Sequence, residues 1–310
     1  MLKENARFLV TGGAGFIGSH FCDNLLEKYP NANITVMDNL TYAGVYSNIP
    51  AKCSWIRADI STISYLYGYD YIINFAAESH VDNSINNGTV FANTNVVGVA
   101  NLLQLMKKVC PEARFLQVST DEVYGHILDD TLFTETTPLA PRSPYSASKA
   151  GGDMIALSYH QTHNLDVVVT RCCNNYGTRQ HKEKFIPTII TKALMNSPIP
   201  VYGDGQNIRE WIHVKDHCDA ILDVLEFGKS GEVYNIGSGL DLTNLHLVNR
   251  ILKRMNKPES LITFVEDRKG HDRCYRVNCN KLHTLTNWFA KHHILEFDEE
   301  IDKLVKWYAK

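Results

Sequence analysis

The chain contains no apolar run approaching the roughly 18 residues of a membrane span, and its first seven residues lack the apolar core of a secretory signal. Cytoplasmic residence is therefore the default expectation. Blocks of one charge are missing as well. Lys and Arg total 31 against 34 Asp and Glu, a net charge of −3 without a polybasic cluster, which argues against nucleic acid or a membrane surface as partner. Eight cysteines occur without a C-x-x-C pair, and 13 histidines without an H-E-x-x-H spacing. Zinc-site and thioredoxin-like readings lose their pattern, and no catalytic metal is expected. The adjacent Cys172-Cys173 closes a β-branched run and reads as packing. Internal repeats, low-complexity tracts and disordered linkers are also absent.

What is present is material for a large core: 310 residues, 44% of them hydrophobic, enough for one large domain or two smaller ones. β-Rich runs recur at 7–11, 34–38, 54–57, 71–76, 114–119 and 167–171, separated by helical periodicity at 93–109 and 147–161. That alternation predicts an α/β fold, a Rossmann-like doubly wound parallel sheet with a smaller C-terminal substrate-binding domain. The texture changes after Arg171, so the division is placed at 1–171 and 172–310. A strand near 233–237 is expected to return to the main sheet. Ligands of such sheets bind outside the C-terminal strand ends.

The first run leads into Gly12-Gly13-Ala14-Gly15-Phe16-Ile17-Gly18 and then an amphipathic stretch. Strand, glycine turn and helix in that order form a pyrophosphate cradle: small residues let backbone N–H groups approach, and the helix N-terminus supplies partial positive charge. Asp38 ends the second run, where it would hold a ribose diol and repel a 2′-phosphate. No arginine follows it closely, so NAD is expected over NADP. Asp59 and Ile60, past the third run, and Ala76-Ala77, at the end of the fourth, complete the expected cofactor contacts. The bland alternatives are ordinary turns and a solvated loop acid.

Tyr145 and Lys149 stand four residues apart, on one face of a helix that Ser143 would cap and Pro144 would start. A phenol beside an ammonium makes a base for a sugar hydroxyl. Lowering a phenol by ~3 pH units needs ~4 kcal/mol of differential stabilisation, which Lys149 and a nicotinamide cation could supply. Thr120 can donate to the same sugar oxygen, and Asp121-Glu122 beside it supply an acid and a base for elimination of water.

Six blocks in their order, Thr11–His20, Ala76–Asp82, Ser119–Gly125, Pro144–Ala150, Asn174–Gly177 and Gly270–Arg273, resemble those of the dTDP-glucose 4,6-dehydratases, members of the extended short-chain dehydrogenase/reductases. The resemblance runs from about Arg7 to Tyr308. It implies that Tyr145 takes the proton of the glucose 4-hydroxyl while hydride passes to tightly held NAD, with Thr120 and Lys149 assisting. Glu122 would then remove the C5 proton, Asp121 would protonate the departing 6-hydroxyl, and hydride would return to C6. It further implies a nucleoside-diphosphate-sugar substrate. Ser79 and His80 fall in the second block. Asn174 is assigned to the sugar–diphosphate region, Arg209, Asn244 or Arg268 with His271 to the pyrophosphate, and Lys184, Phe185, Pro200 and Tyr202 to the base. A homodimer built from the helices at 93–108 and 147–160 is also implied.

The chain departs from the family pattern at Thr178-Arg179, where proline and an aromatic are usual, at His181-Lys182, and at Cys173, where serine is usual. These positions lie on the substrate side. A sugar-nucleotide 4-epimerase, which needs no Asp-Glu pair, remains the second enzyme reading. Dehydratases of UDP-glucose or of an N-acetylated sugar nucleotide, a 5,6-dehydratase, and a non-catalytic NAD or sugar-nucleotide-binding regulator are the others.

Overall fold

The computed structural model describes residues 2–3, 5–127, 129, 131–292 and 294–310. Six short hydrophobic runs form the first strands: β1 (Arg7–Thr11), β2 (Asn33–Asp38), β3 (Ser54–Arg57), β4 (Tyr71–Asn74), β5 (Arg114–Thr120) and β6 (Asp166–Cys172). Among the described residues the later strands are β7 (Asn174–Tyr176), β8 (Ile199–Tyr202), β9 (Ile208–His213), β10 (Val233–Ile236), β11 (Asp241–Thr243) and β12 (Ile262–Val265). Seven of these make one parallel sheet in the order β10-β6-β5-β4-β1-β2-β3. The central strands are apolar on both faces, as sheets covered by helices require. The chain winds outward from β1 through β2 to β3, then resumes at β4 on the other side of β1. Strand direction of travel thus reverses between β1 and β4, which opens a crevice at their C-terminal ends.

Helices α1 (Phe16–Lys28), α2 (Val81–Asn86), α3 (Gly88–Ala92), α4 (Gly98–Val109), α5 (Pro144–His163), α6 (Phe185–Leu194), α7 (Val214–Phe227), α8 (Asn244–Arg254), α9 (Asn280–Thr286) and α10 (Ile294–Tyr308) cover the sheets. One core layer joins Phe21 and Leu25 of α1 with Ile221 and Leu225 of α7 under the large sheet. The other joins Leu102, Leu103 and Met106 of α4 with Ala156 of α5. A separate core gathers Ile189 and Ile190 of α6, Leu247 and Ile251 of α8 and Phe297 of α10 over the smaller sheets β11-β9-β7 and β12-β8.

The periodic stretch expected as one helix over 93–109 starts instead with a π-helical turn, Asn93–Val97. Asn95 is buried there. Its Oδ1 accepts from the Glu78 N–H at 2.9 Å, and its Nδ2 donates to the Glu78 carbonyl at 3.0 Å and to Ser148 Oγ at 2.8 Å. The wider turn brings an amide to the segment leaving β4 and to α5 at once, and such turns recur at functional sites. Helix α5 begins in a reciprocal capping box: Ser143 Oγ accepts from Ser146 N–H at 3.1 Å, and Ser146 Oγ from Ser143 N–H at 3.0 Å.

Candidate active site

A cavity of about 1100 Å³ lies over the C-terminal ends of the large sheet and under the smaller ones. The glycine turn, Asp38, Asp59-Ile60, Ala76-Ala77, Ser79-His80, Thr120, Glu122, Tyr145 and Lys149 line one side. Asn174, Lys184-Phe185, Pro200, Tyr202, Arg209, Asn244, Arg268 and His271 line the other. Residues from twelve separate stretches thus meet on one space.

The glycines have steric reasons. Gly12 holds φ +69°, and a Cβ there would sit 2.6 Å from the Ala76 nitrogen; a Cβ at Gly18 would strike the Gly12 carbonyl oxygen. Helix α1 opens at Gly15 with no side-chain cap and no acidic residue in its first turn. Its leading N–H groups therefore face the cavity with the helix's partial positive charge, a cradle suited to a pyrophosphate. Asp38 accepts from the Ala14 N–H at 3.0 Å through Oδ2 and from the Leu40 N–H at 2.8 Å through Oδ1. These bonds orient the carboxylate at the cavity edge and leave lone pairs for a diol. The residues present fit a dinucleotide with a free 2′-hydroxyl.

The reactive groups follow from β5 and α5. Thr120 ends β5, donates to Asp121 Oδ1 at 3.1 Å and accepts from the Glu122 N–H at 3.3 Å. A 3₁₀ turn over Asp121–Tyr124 then alternates the acids. Glu122 reaches the cavity wall, whereas Asp121 is fully buried behind it, with Oδ2 lacking a hydrogen-bond partner. Of the residues singled out from the sequence, Asp121 is the one that does not line the cavity. The tight turn points it inward, so its access to a ligand runs past Thr120. Burial pushes its carboxyl well above the usual range, and the charges of Glu122 and Glu210 add to the effect. Burial also raises Glu122, but Arg209 opposes that rise.

Burial likewise drives the Tyr145 phenol well up, reinforced by Glu122, Cys172 and Asp121 and opposed by the Thr120 hydroxyl. Lys149 is 5% exposed and donates to the Val118 carbonyl at 2.7 Å. Burial pulls its ammonium down, while Asp153 and Cys172 hold it up.

On the opposite wall Arg209 lies 4.2 Å above the Tyr275 ring and is fixed by donations to the Asp272 carbonyl at 2.9 Å and the Ile208 carbonyl at 2.7 Å. Arg268 pairs with Asp82 at 2.6 Å and stacks 5.0 Å from the Tyr202 centroid. Lys184 Nζ donates to the Ser79 carbonyl at 2.7 Å and so ties the two walls together. Sequence reasoning passed over Tyr275, Asp82 and Glu183 as site residues, although all three line the cavity. Tyr275 stands two residues past a block that had been singled out, and Asp82 closes another. The unusual Thr178-Arg179 pair grips α1: Arg179 pairs with Asp23 at 2.7 Å and donates to Ser19 Oγ at 3.2 Å, while His20 Nε2 meets the Thr178 carbonyl at 3.0 Å. Among the described residues, no three His, Cys, Asp or Glu side chains are placed to hold a metal.

A Rossmann-like sheet carrying a Tyr-x-x-x-Lys helix and a Thr-Asp-Glu turn on one cavity defines an extended short-chain dehydrogenase/reductase. Comparison with known proteins narrows the class. The family model described as GDP-mannose 4,6 dehydratase matches residues 9–301, and the chain belongs to that family. A dTDP-glucose 4,6-dehydratase of Actinoplanes sp. is 45% identical over 97% of each chain. The low-salt glycan biosynthesis protein Agl12 of Haloferax volcanii is 46% identical, again over 97% of each. The dTDP-glucose 4,6-dehydratase DesIV of Streptomyces venezuelae, solved with NAD and dTDP bound, superimposes with a TM-score of 0.93 at 45% identity, covering 98% of this chain and 97% of that one.

Proposed function

We propose that this chain is an NAD-dependent dTDP-glucose 4,6-dehydratase, a lyase that converts the glucose moiety to its 4-keto-6-deoxy form. The observation that carries the reading is the pair of adjacent carboxyl groups beside the Tyr145–Lys149 helix face, Glu122 on the cavity wall and Asp121 fully buried behind it. A 4-epimerase needs oxidation and reduction at C4 only and has no use for such a pair.

NAD, when bound, supplies the acceptor for the C4 hydride and its donor to C6. The glycine turn with Phe16 and Ile17 takes the pyrophosphate, Asp38 a ribose diol, and Asp59, Ile60, Ala76 and Ala77 the adenosine side and sheet edge. Tyr145 removes the proton of the 4-hydroxyl, which Thr120 orients, and the ketone that results acidifies C5. Glu122, whose negative charge Arg209 favours, takes the C5 proton. Asp121, whose proton is favoured by burial and by the charges of Glu122 and Glu210, delivers it to the departing 6-hydroxyl so that water leaves. The different environments sort one acid and one base out of two adjacent carboxyls.

Arg209 and His271, with Asn244 and Arg268, face the diphosphate; Ser79, His80 and Asn174 face the sugar; Lys184, Phe185, Pro200 and Tyr202 face the base. Arginine suits the diphosphate because its fork matches paired oxygens. The large sheet with its helices thus serves NAD and the C-terminal sheets the sugar nucleotide. We further propose a homodimer through the π-turn, α4 and α5, in the cytoplasm; no described helix is long and apolar enough to cross a membrane.

Incubation with dTDP-glucose, UDP-glucose and UDP-N-acetylglucosamine, followed by mass spectrometry, tests the reading. The expected product of dTDP-glucose has lost one water. In D₂O it carries solvent deuterium at C5 while the hydrogen moved from C4 to C6 stays protium. An epimer of unchanged mass would decide for the 4-epimerase.

A further inference from the structure

Tyr145 and Lys149 are the first two members of a longer row. Asp153 follows Lys149 at the same four-residue spacing, so the three side chains share the face of α5 that packs on β5 and β6. Asp153 is fully buried and does not line the cavity. Its Oδ2 pairs with Arg171 Nε at 2.9 Å, and Arg171 is 2% exposed. Arg171 in turn donates to the Tyr124 hydroxyl at 3.0 Å and lies 4.9 Å over that ring, and the Tyr124 hydroxyl donates to Asn235 Oδ1 at 2.8 Å. Strand register sets Arg171 opposite Ser119, one residue from Thr120. A chain of polar contacts therefore runs from the edge strand β10 through Tyr124 and Arg171 to Asp153.

Such a pair is poorly explained as a stabilising device. Burying an ion pair costs about as much as it returns, and apolar residues of the same volume would serve the core as well or better. Its position explains it differently. Lys149 is buried with one carbonyl as its hydrogen-bond partner, a setting in which an amine sheds its proton unless an opposite charge stands near. Across the surrounding elements, the titratable groups are Tyr145 on the same helix, Cys172 and Arg171 on β6, and Asp121 and Glu122 after β5, with Tyr124 and Glu135 beyond Arg171. Asp121 and Glu122 act on Tyr145, and Cys172 is a neutral thiol whose pKa burial pushes up to about 12. Asp153, one helical turn from Lys149, is the carboxylate whose charge favours its ammonium; burial raises the Asp153 carboxyl, and the paired Arg171 opposes that rise.

We infer that Asp153, paired with Arg171, is a positioning residue that keeps the Lys149 ammonium charged beside the Tyr145 phenol. Charges along the row then alternate from Lys149 to Asp153 to Arg171, and the developing phenolate of Tyr145 extends the alternation. The inference rests on the dehydratase reading for its kinetic arm only.

The test is Asp153→Asn in the NAD-loaded protein. Without the carboxylate, Lys149 loses its proton at lower pH, so the alkaline limb of kcat moves down by about 1–3 pH units, the usual effect of removing an opposite charge within ~4–6 Å. A uniform fall in kcat with the limb unmoved is the signature of a merely structural role and overturns the inference. Lysine side-chain NMR, with Lys149 assigned by its loss in Lys149→Arg, reads the same displacement without substrate and so separates this failure from failure of the dehydratase reading. Asp153→Ser, smaller and able to admit water, is expected to give the same shift if the amide variant misfolds. In the unaltered protein Lys149 must remain charged past about pH 8, since an unperturbed lysine titrates near ~10.4; titration below that overturns the inference outright.

Discussion

Tyr145 sits in a field that opposes its proposed role, because burial and two neighbouring acids favour the neutral phenol. Part of that opposition disappears once Asp121 holds a proton, which its own burial favours. In the proposed mechanism the proton on Asp121 serves two steps: it lets Tyr145 ionise first and is given up later to the leaving hydroxyl. Tyr145→Phe keeps the ring and removes the base, and turnover is expected to fall by about two to four orders of magnitude, with NAD retention unchanged in the bound-cofactor absorbance.

Asp121 also carries a stability prediction. Its folded pKa lies above its unfolded one, so folding takes up a proton. The contribution is fully present below the ordinary carboxylate range near ~4 and is lost as pH rises toward the raised value. Asp121→Asn removes that dependence while keeping an oxygen for Thr120. The variant's melting temperature relative to the unaltered protein is expected to climb between about pH 5 and pH 8, and calorimetry across that window checks it. A constant difference would mean that Asp121 is ionised in the fold.

At the scale of elements, what could be read from the residues was what short-range physics dictates. Ser143 and Pro144 forecast the start of α5, Asp38 closes β2, and the run at 54–57 became β3 without adjustment. The π-turn at Asn93–Val97 escaped because its apolar spacing is that of any helix; its cause is Asn95, whose partners Glu78 and Ser148 lie 17 and 53 residues away. The Arg209–Tyr275 stack and the Arg268–Asp82 pair escaped for the same reason, since each joins segments far apart in the chain. The inward rotation of Asp121 depends on the geometry of one 3₁₀ turn, which its residue type does not announce. Close approach of the π-turn to α5 makes its own prediction. A Cβ at Gly152 would stand 2.5 Å from the Asn95 carbonyl oxygen, so Gly152→Ala forces the two apart. The cost is expected at about 1–3 kcal/mol, in line with overpacked cores, exceeding the ~1 kcal/mol that alanine gains in a helix, and a lower urea midpoint would show it.

Across the whole molecule, Met154 of α5 and Val97 of the π-turn remain 48% and 50% exposed. Exposed apolar side chains on two elements that pack together suit a partner surface. Sedimentation is expected to show a species of twice the chain mass, and Met154→Glu to shift it toward the monomer; a monomer at micromolar concentration would remove the homodimer.

The route of the chain has a consequence for how the protein can be cut. It leaves the large sheet after β6, returns with α7 and β10, leaves again for β11, α8 and β12, returns as α9 against α7 and β10, and ends in α10 over the smaller core. The last strand of the large sheet is thus contributed from beyond the first excursion. A fragment ending at residue 171 would expose the β6 edge from Val169 onward that β10 otherwise pairs, and an unpaired strand edge invites association between copies. The large sheet is therefore not a separable module. Partial digestion should release no autonomous NAD-binding piece, and heating should melt both sides of the cavity in one cooperative transition.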